Sequence, residues 1–378
     1  MSDTREIAFL FIGGAHQVYH LAPVAAALSR RLPDTCITCV YPDAETGAAL
    51  ARVRTALDAP ALKLDHVPPP PVADWLARAT RRHTARKGPM LMRLAPRLRR
   101  ARAVITPERT SANLRWMGLS KTPMIHFRHG AGDRAPSSEA RLKAFDLVVV
   151  AGRKDVERAV EVQHLDPAKV RDCGYVKLDF LTHTHPEVAP LFDNGRPVVV
   201  YNPHFDSAIS SWPVARDVIE RFRAQDRYNL VVAPHIRLSD DMTPEDMAEW
   251  QALAEPGRII VDLRSPKLID MTYLLAADVY LGDMSSQLYE FLARPRPVAF
   301  VNAHGAAWRG DPRYAGWRLG SVADSVEDVI GAVDRARSGH PAMIARQRAA
   351  VTEAFGLIDG AAERGAEIIA QTLYAKAA

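Results

Sequence analysis

Residues 262–301 read DLRSPKLIDMTYLLAADVYLGDMSSQLYEFLARPRPVAFV. DVYLGD has the composition of a buried strand that ends in a turn, MSSQLYEFLA that of the helix leaving it, and PVAFV that of the next strand. A strand, a helix and a second strand in this order make the repeating unit of a parallel sheet with helices packed on it. A turn of this kind points unpaired backbone N–H groups and the positive end of a helix at one spot, where the hydroxyls of Ser285 and Ser286 add donors. An anionic diphosphate fits such a spot. The plainer reading is that the two serines cap the helix, since serine is favoured wherever a helix starts.

The same grammar extends in both directions. In the first half IAFLFI, CITCVY, AVIT, MIHF and LVVV read as strands, separated by helical patterns such as LAPVAAALSRRL and EARLKAF. In the second half PVVVYN, NLVVAP, IIVD, DVYLGD and PVAFVN repeat the scheme, with WPVARDVIERFRA among the intervening helices. The stretch THTHPEVAPLFDNGR is rich in turn formers and reads as a linker at residues 182–196. The expected organisation is therefore α/β: two doubly wound Rossmann-like domains, residues 1–181 and 197–340, facing across a cleft as in the GT-B architecture. An Ala-rich helical stretch follows at residues 341–378.

Composition fits an enzyme of this size. The chain has 378 residues, 48% hydrophobic and 25% charged, with a formal net charge of +5. No run approaches the ~18 apolar residues of a spanning helix, and MSDTREIAFLFIGG lacks the marks of a secretion signal, so a cytoplasmic protein is expected. Cys36, Cys39 and Cys173 offer no disulfide framework, and Cys36 and Cys39 point to opposite faces of one strand. From Arg78 to Arg102 there are ten Lys or Arg and no Asp or Glu. With Trp75, Leu76, Met90, Leu91, Met92, Leu94 and Leu98 beside them, these cations suit an anionic membrane surface. A solvated helix face is the plainer reading, and no nucleic-acid-binding signature accompanies the patch.

Ligands of open parallel sheets collect outside the carboxyl ends of the strands. After the first strand come Gly13, Gly14, His16 and His20, an acceptor-side group in which the glycines permit close backbone approach. His16 and His20 have the spacing of a metal pair, but no Glu follows the first His, so no metal and no cofactor is expected. His129 follows the strand MIHF and precedes the small residues GAGD. Imidazole titrates near neutral pH and can take the proton of a hydroxyl as its oxygen attacks phosphorus.

Asp283, Ser285, Ser286, Glu290, Phe291, Arg296 and Pro297 fall in an order that resembles the CDP-glycerol glycerophosphotransferase family, the teichoic-acid-polymerase-like enzymes. FRHGAGDR (127–134), CGYVKLDFL (173–181), VVVYNPHFD (198–206) and VVAPHIR (231–237) resemble further segments of that family. The similarity runs from about residue 124 to about residue 317. Departures are Gly132, Asp133 and Arg134 after the His-Gly pair, Val176 for a turn proline and Ala233 for a basic residue.

The resemblance implies GT-B catalysis with His129 at the catalytic centre, and His235 on the donor phosphate or activating the acceptor, with His16 a further candidate. It implies donor contacts from Arg237, Arg296, Lys177, Asp179, Asp283 and Glu290: Glu290 toward ribose, and Asp179 and Asp283 toward ribose hydroxyls or an orienting role on a histidine, with capping of a helix as the plainer reading of those two. It also implies a nucleotide-activated donor, CDP-glycerol first, a lipid-linked or polysaccharide acceptor, and a C-terminal helix crossing back to the first domain. A nucleotide-sugar glycosyltransferase of capsule or glycolipid assembly, a UDP-sugar epimerase, and a nucleotide- or glycan-binding protein without catalysis fit the same frame.

Overall fold

A computed structural model describes residues 6–80, 83–130, 133, 139–185, 189–240 and 242–375. Arg81, Arg82, Gly132, Arg134 and the linker residues 186–188 lie outside this set. The chain divides into two compact units: Met1–His129, Pro136–Thr184 and Thr352–Ala378 form the first, Gly130–Ala135 and His185–Val351 the second.

The first unit holds seven strands, β1 (Ile7–Leu10), β2 (Ile37–Tyr41), β3 (Lys63–His66), β4 (Ala103–Thr106), β5 (Met124–Phe127), β6 (Leu147–Val150) and β7 (Val170–Asp172). They are ordered β3-β2-β1-β4-β5-β6-β7, and every pairing is parallel. The second unit holds β8 (Val198–Asn202), β9 (Asn229–Val232), β10 (Ile259–Val261), β11 (Val279–Gly282), β12 (Val298–Val301) and β13 (Ser321–Ala323). Their order is β10-β9-β8-β11-β12-β13, again all parallel. Both sheets run outward in two directions from a central pair, β1 and β4 or β8 and β11. These are the switch points at which doubly wound folds bind ligands.

Both faces of each sheet are covered, which is why the strands read as continuous apolar runs rather than alternating ones. In β1, Ala8 and Leu10 join a core with Met90, Leu91, Leu94 and Leu98 of the helix Lys87–Leu98. Ile7 and Phe9, equally buried, point the other way because strand side chains alternate. On that side the helix Val18–Arg31 packs against Val176–Thr184 and Ala361–Ala375. In β8, Val199 and Tyr201 enter the second core with Val218, Ile219 and Phe222 of the helix Ala215–Arg223.

Three strands, β3, β7 and β13, are absent from the sequence reading, and all three sit at sheet edges. An edge strand is paired on one side only and needs no continuous apolar run; KLDH of β3 is largely solvent-accessible. EARLKAF, read as a helix, forms only a short 3-10 segment, Ala140–Ala144. CGYVKLDFL, read as a turn, becomes the helix Val176–Thr184. The helix expected after Ser286 spans just Gln287–Phe291, so its dipole is that of little more than one turn. Beyond residue 340 the helix Val329–Phe355 continues, and Ala361–Ala375 follows a break containing Gly356 and Gly360, both with positive φ.

Candidate functional site

In the first unit, His16 in the turn after β1, His20 in the helix Val18–Arg31 that follows and His129 after β5 bring three imidazoles together. The ring of His129 lies 5.9 Å from that of His16 and 6.0 Å from that of His20. His20 in turn meets Tyr175 edge-on at 5.4 Å. His129 Nδ1 is 2.9 Å from the carbonyl oxygen of Pro107. A carbonyl only accepts, so Nδ1 carries the proton and the Nε2 lone pair is left as a base. Burial pulls the His129 imidazole below its ordinary value, against Glu108 and the Pro107 carbonyl, which pull it up. His20 is lowered further, by burial and then by Lys177, His129 and His16. Burial thus disfavours the charged form of both His129 and His20.

Glu108 anchors the floor of this group. Its carboxylate takes Lys87 Nζ at 2.5 Å and Gln17 Nε2 at 3.2 Å, and Gln17 Oε1 in turn accepts the Gly13 N–H at 3.2 Å. Burial alone would raise the Glu108 carboxyl, but Lys87, His129 and the Thr110 amide override it and hold it at about 2. A Cβ on Gly13 would stand 2.2 Å from Gln17 Nε2, so any larger residue would displace the Gln17 amide. Gly14 adopts φ +113°, a region that side chains disfavour.

In the second unit, Asp283 follows β11 and is fully enclosed. Its carboxylate accepts the backbone N–H groups of His204, at 3.0 Å, and Ser211, at 2.7 Å. Asp283 thus fixes the loop after β8 rather than capping the helix that follows it. That loop carries His204 and Phe205, whose rings stack at 4.3 Å. His235, after β9, lies 5.7 Å from His204 and 4.7 Å from Phe205, and the Arg237 guanidinium sits 4.2 Å from the Phe205 centroid. Ser285 Oγ accepts the Gln287 N–H at 3.2 Å, the capping role named as the plainer reading. Ser286 makes no such bond, and its Oγ lies 3.2 Å from where a Cβ on Gly130 would stand.

Other sequence candidates are placed differently. Arg296 gives its guanidinium to the carbonyls of Leu274, Ala277 and Phe291, at 2.9, 2.6 and 2.6 Å, and so ties the ends of β11's neighbouring helices to the scaffold. Asp179 accepts the N–H groups of Gly360 and Ala362, both at 3.0 Å, and so caps the helix Ala361–Ala375. Asp179, His183 and Asp359 are near enough for ligand atoms to fall within 4.8 Å of one another, yet both Asp179 oxygens already serve those amides. Lys177 is buried beside His20 in the first unit, and Glu290 is buried near Tyr280 in the second.

The basic segment is less naked than its sequence suggests. Arg86 pairs with Asp74 at 2.9 Å, Lys87 with Glu108, and Arg97 with both Glu6 and Asp65. Arg99 is bound to the Met117 carbonyl at 2.7 Å and Arg93 to that of Pro68 at 2.8 Å. Among the described residues no helix is long and apolar enough to cross a membrane. Glu108, Lys87, Gln17 and Phe205 were not singled out in the sequence. Only the position of Glu108 and Phe205 just after strands could have marked them.

No family model matches the chain, and no curated protein matches it in sequence. Solved structures do match in fold. A variant of the wall teichoic acid polymerase TagF soaked with CDPG aligns over 99% of this chain and 90% of its own, with 12% identity and a TM-score of 0.64. A UDP-N-acetylglucosamine 2-epimerase from Listeria monocytogenes, itself assigned by inference, aligns over 99% and 96%, with 13% identity and a TM-score of 0.69. The S. aureus MnaA–UDP complex aligns over 99% and 97%, with 13% identity and a TM-score of 0.60. The fold is that of the GT-B enzymes, α/β with two Rossmann-like domains.

Proposed function

We propose that the chain is a transferase that moves a glycerophosphate or related phosphoalditol unit from a CDP-linked donor to a hydroxyl of a lipid-linked or polysaccharide acceptor in cell-envelope glycopolymer synthesis. The observation that carries this reading is the His129–Pro107 hydrogen bond, which fixes the imidazole with its basic nitrogen as the remaining polar atom of the ring. The acceptor oxygen attacks the phosphorus that bears glycerol, its proton passes to His129 Nε2, and the phosphorus–oxygen bond to CMP breaks with the electron pair leaving on CMP. His16 and His20 line the acceptor side with Gly13 and Gly14. Ser285, Ser286 and Arg237 serve the donor on the second unit.

The lipid-linked acceptor goes with attachment to the anionic inner face of the plasma membrane. Support for that attachment now rests on exposed Val72 and Trp75, on one face of the helix Pro71–Thr80, and on exposed Met92, with Arg93, Arg99 and Arg100. A second reading, a nucleotide-sugar-dependent GT-B enzyme, is favoured by the epimerase folds among the structural matches. Incubation of the purified chain with CDP-glycerol, UDP-sugars and GDP-sugars, with nucleotide release as readout, separates the two. CMP release that depends on added acceptor supports phosphoalditol transfer; release of UDP alone supports the second reading. Binding without release from any donor would leave a binding protein.

A further inference from the structure

A second concave surface lies at the amino ends of the strands of the second sheet. Tyr228 immediately precedes β9 (Asn229–Val232) and Ala233 follows it, so about 16 Å of extended chain separates the two ends. Beside Tyr228 a cleft of about 620 Å³ opens between the start of β9 and the helix Val329–Phe355, lined by Arg227, Tyr228, Asp334, Arg337 and Ser338. Small-molecule sites have volumes of ~300–1,000 Å³. None of these residues belongs to the loops at the carboxyl ends of β8, β9 and β11, which carry His204, His235 and Asp283.

The charges lining this cleft do not cancel. Arg227 Nη1 donates to both oxygens of Asp334, at 2.9 and 3.0 Å, and the Tyr228 hydroxyl donates to Oδ1 at 2.6 Å. Asp334 is thereby matched. With its proton on Asp334, the phenol oxygen accepts Arg337 Nη1 at 3.3 Å. Both guanidiniums also lie over the Tyr228 ring, 5.5 Å from its centre for Arg227 and 5.4 Å for Arg337, contacts that hold flat cations in place. Arg335 on the same helix is paired with Asp328 at 2.6 Å, whereas Arg337 has no carboxylate partner among the described residues. Two arginines against one aspartate leave one net positive charge among the lining residues. Each arginine engages through Nη1 alone, so Nε and Nη2 of both carry donors that make no hydrogen bond among the described residues.

We propose that this cleft is a second ligand site of the chain, one that takes the phosphate group of a small phosphorylated molecule through Arg227 and Arg337. A carboxylate offers two oxygens, enough for one guanidinium fork; a phosphate monoester offers three and can meet both forks. Asp334 and Tyr228 already set the two side chains, so little further freedom is lost when the ligand enters. The site lies at the opposite end of the strands from the candidate donor loops, and its ligand is an addition to the transfer reaction rather than its donor. It does not depend on which donor the chain uses.

The test uses the full chain labelled with ¹⁵N at arginine and inorganic phosphate as the probe. The Nε–H signals of Arg227 and Arg337, assigned by their loss in Arg227→Gln and Arg337→Gln, should shift together and saturably as phosphate is added. In Arg337→Gln the midpoint of the Arg227 shift should move to ~10-fold higher phosphate, as expected when hydrogen bonds to a charged group are lost. That variant should melt with the parent, because Arg337 is exposed and gives up a single bond of 3.3 Å. Arg337→Lys keeps the charge without the fork and should recover only part of the affinity. Acetate, with two oxygens, should bind more weakly than phosphate. Arginine signals that do not move with phosphate, an Arg227 midpoint that is the same in Arg337→Gln and the parent, or acetate that binds as tightly as phosphate each overturn the assignment.

Discussion

Ser211 donates both its backbone N–H, at 2.7 Å, and its hydroxyl, at 3.0 Å, to a single carboxylate oxygen of Asp283. These bonds and the His204 amide favour the charged carboxylate, yet burial outweighs them and pushes Asp283 up to about 6 from an ordinary 3.8. An acid that holds its proton more tightly when folded contributes most below its unfolded value and loses that contribution as pH rises through the folded one. Glu108, at about 2 against 4.5, has the opposite sign: its contribution is complete above 4.5 and is lost as pH falls toward 2. Asp283→Asn should therefore flatten the decline in stability between about pH 4 and 6. Glu108→Gln should flatten the decline below about pH 4.5. Denaturant titrations at stepped pH read both, and an unchanged slope in either window removes that residue as its source.

His129→Ala should lower turnover by ~10²-fold or more while nucleotide affinity survives, as expected when a general base is lost. Because burial lowers the His129 value, the acidic limb of kcat/KM should lie below the ordinary histidine range near 6.5. A limb at or above that range, or near-normal turnover in the variant, would assign the base to His16.

The two serines should separate. Ser285→Ala removes the hydroxyl that accepts the Gln287 N–H and should cost about 1 kcal/mol of stability, a typical value for a lost cap. Ser286→Ala makes no cap and should leave stability unchanged while weakening nucleotide binding. Calorimetry with CDP alongside thermal melting distinguishes them, and equal melting losses would contradict the assignment.

The ten cations of residues 78–102 were legible in the sequence; their carboxylate partners were not. Glu6 lies 91 residues before Arg97, and Asp65 lies 32 before it, so only the folded sheet brings them together. The same limit hid Glu108, whose Lys87 is 21 residues away, and the Asp283 contacts, which reach back 72 and 79 residues. Strands buried on both faces announced themselves as apolar runs, whereas β3, β7 and β13, paired on one side, did not. Serine spacing gave the turn after β11 but not the choice between cap and ligand, because a hydroxyl serves either equally well.

Arg97→Glu should lower the melting temperature by several degrees, since it places a third carboxylate against Glu6 and Asp65. Arg99→Glu with Arg100→Glu should leave melting nearly unchanged and reduce flotation with anionic vesicles, more so at low salt, where the Debye length is longer. Equal flotation of this double variant and the parent would reduce the segment to a solvated face.

Asp179 closes the first unit across 181 and 183 residues, through the amides of Gly360 and Ala362. Farther along the same helix, Gly365 lets the backbone approach so closely that a Cβ there would stand 3.1 Å from Val24 and 3.2 Å from Phe127. During synthesis, the strands of the second sheet have all been made before this helix exists. The unit that begins first is thus completed after the second sheet has been made, its apolar flank waiting for this later helix. Chain order and assembly order run in opposite senses, and the burden of keeping that flank from aggregating falls on the interval between residues 31 and 361.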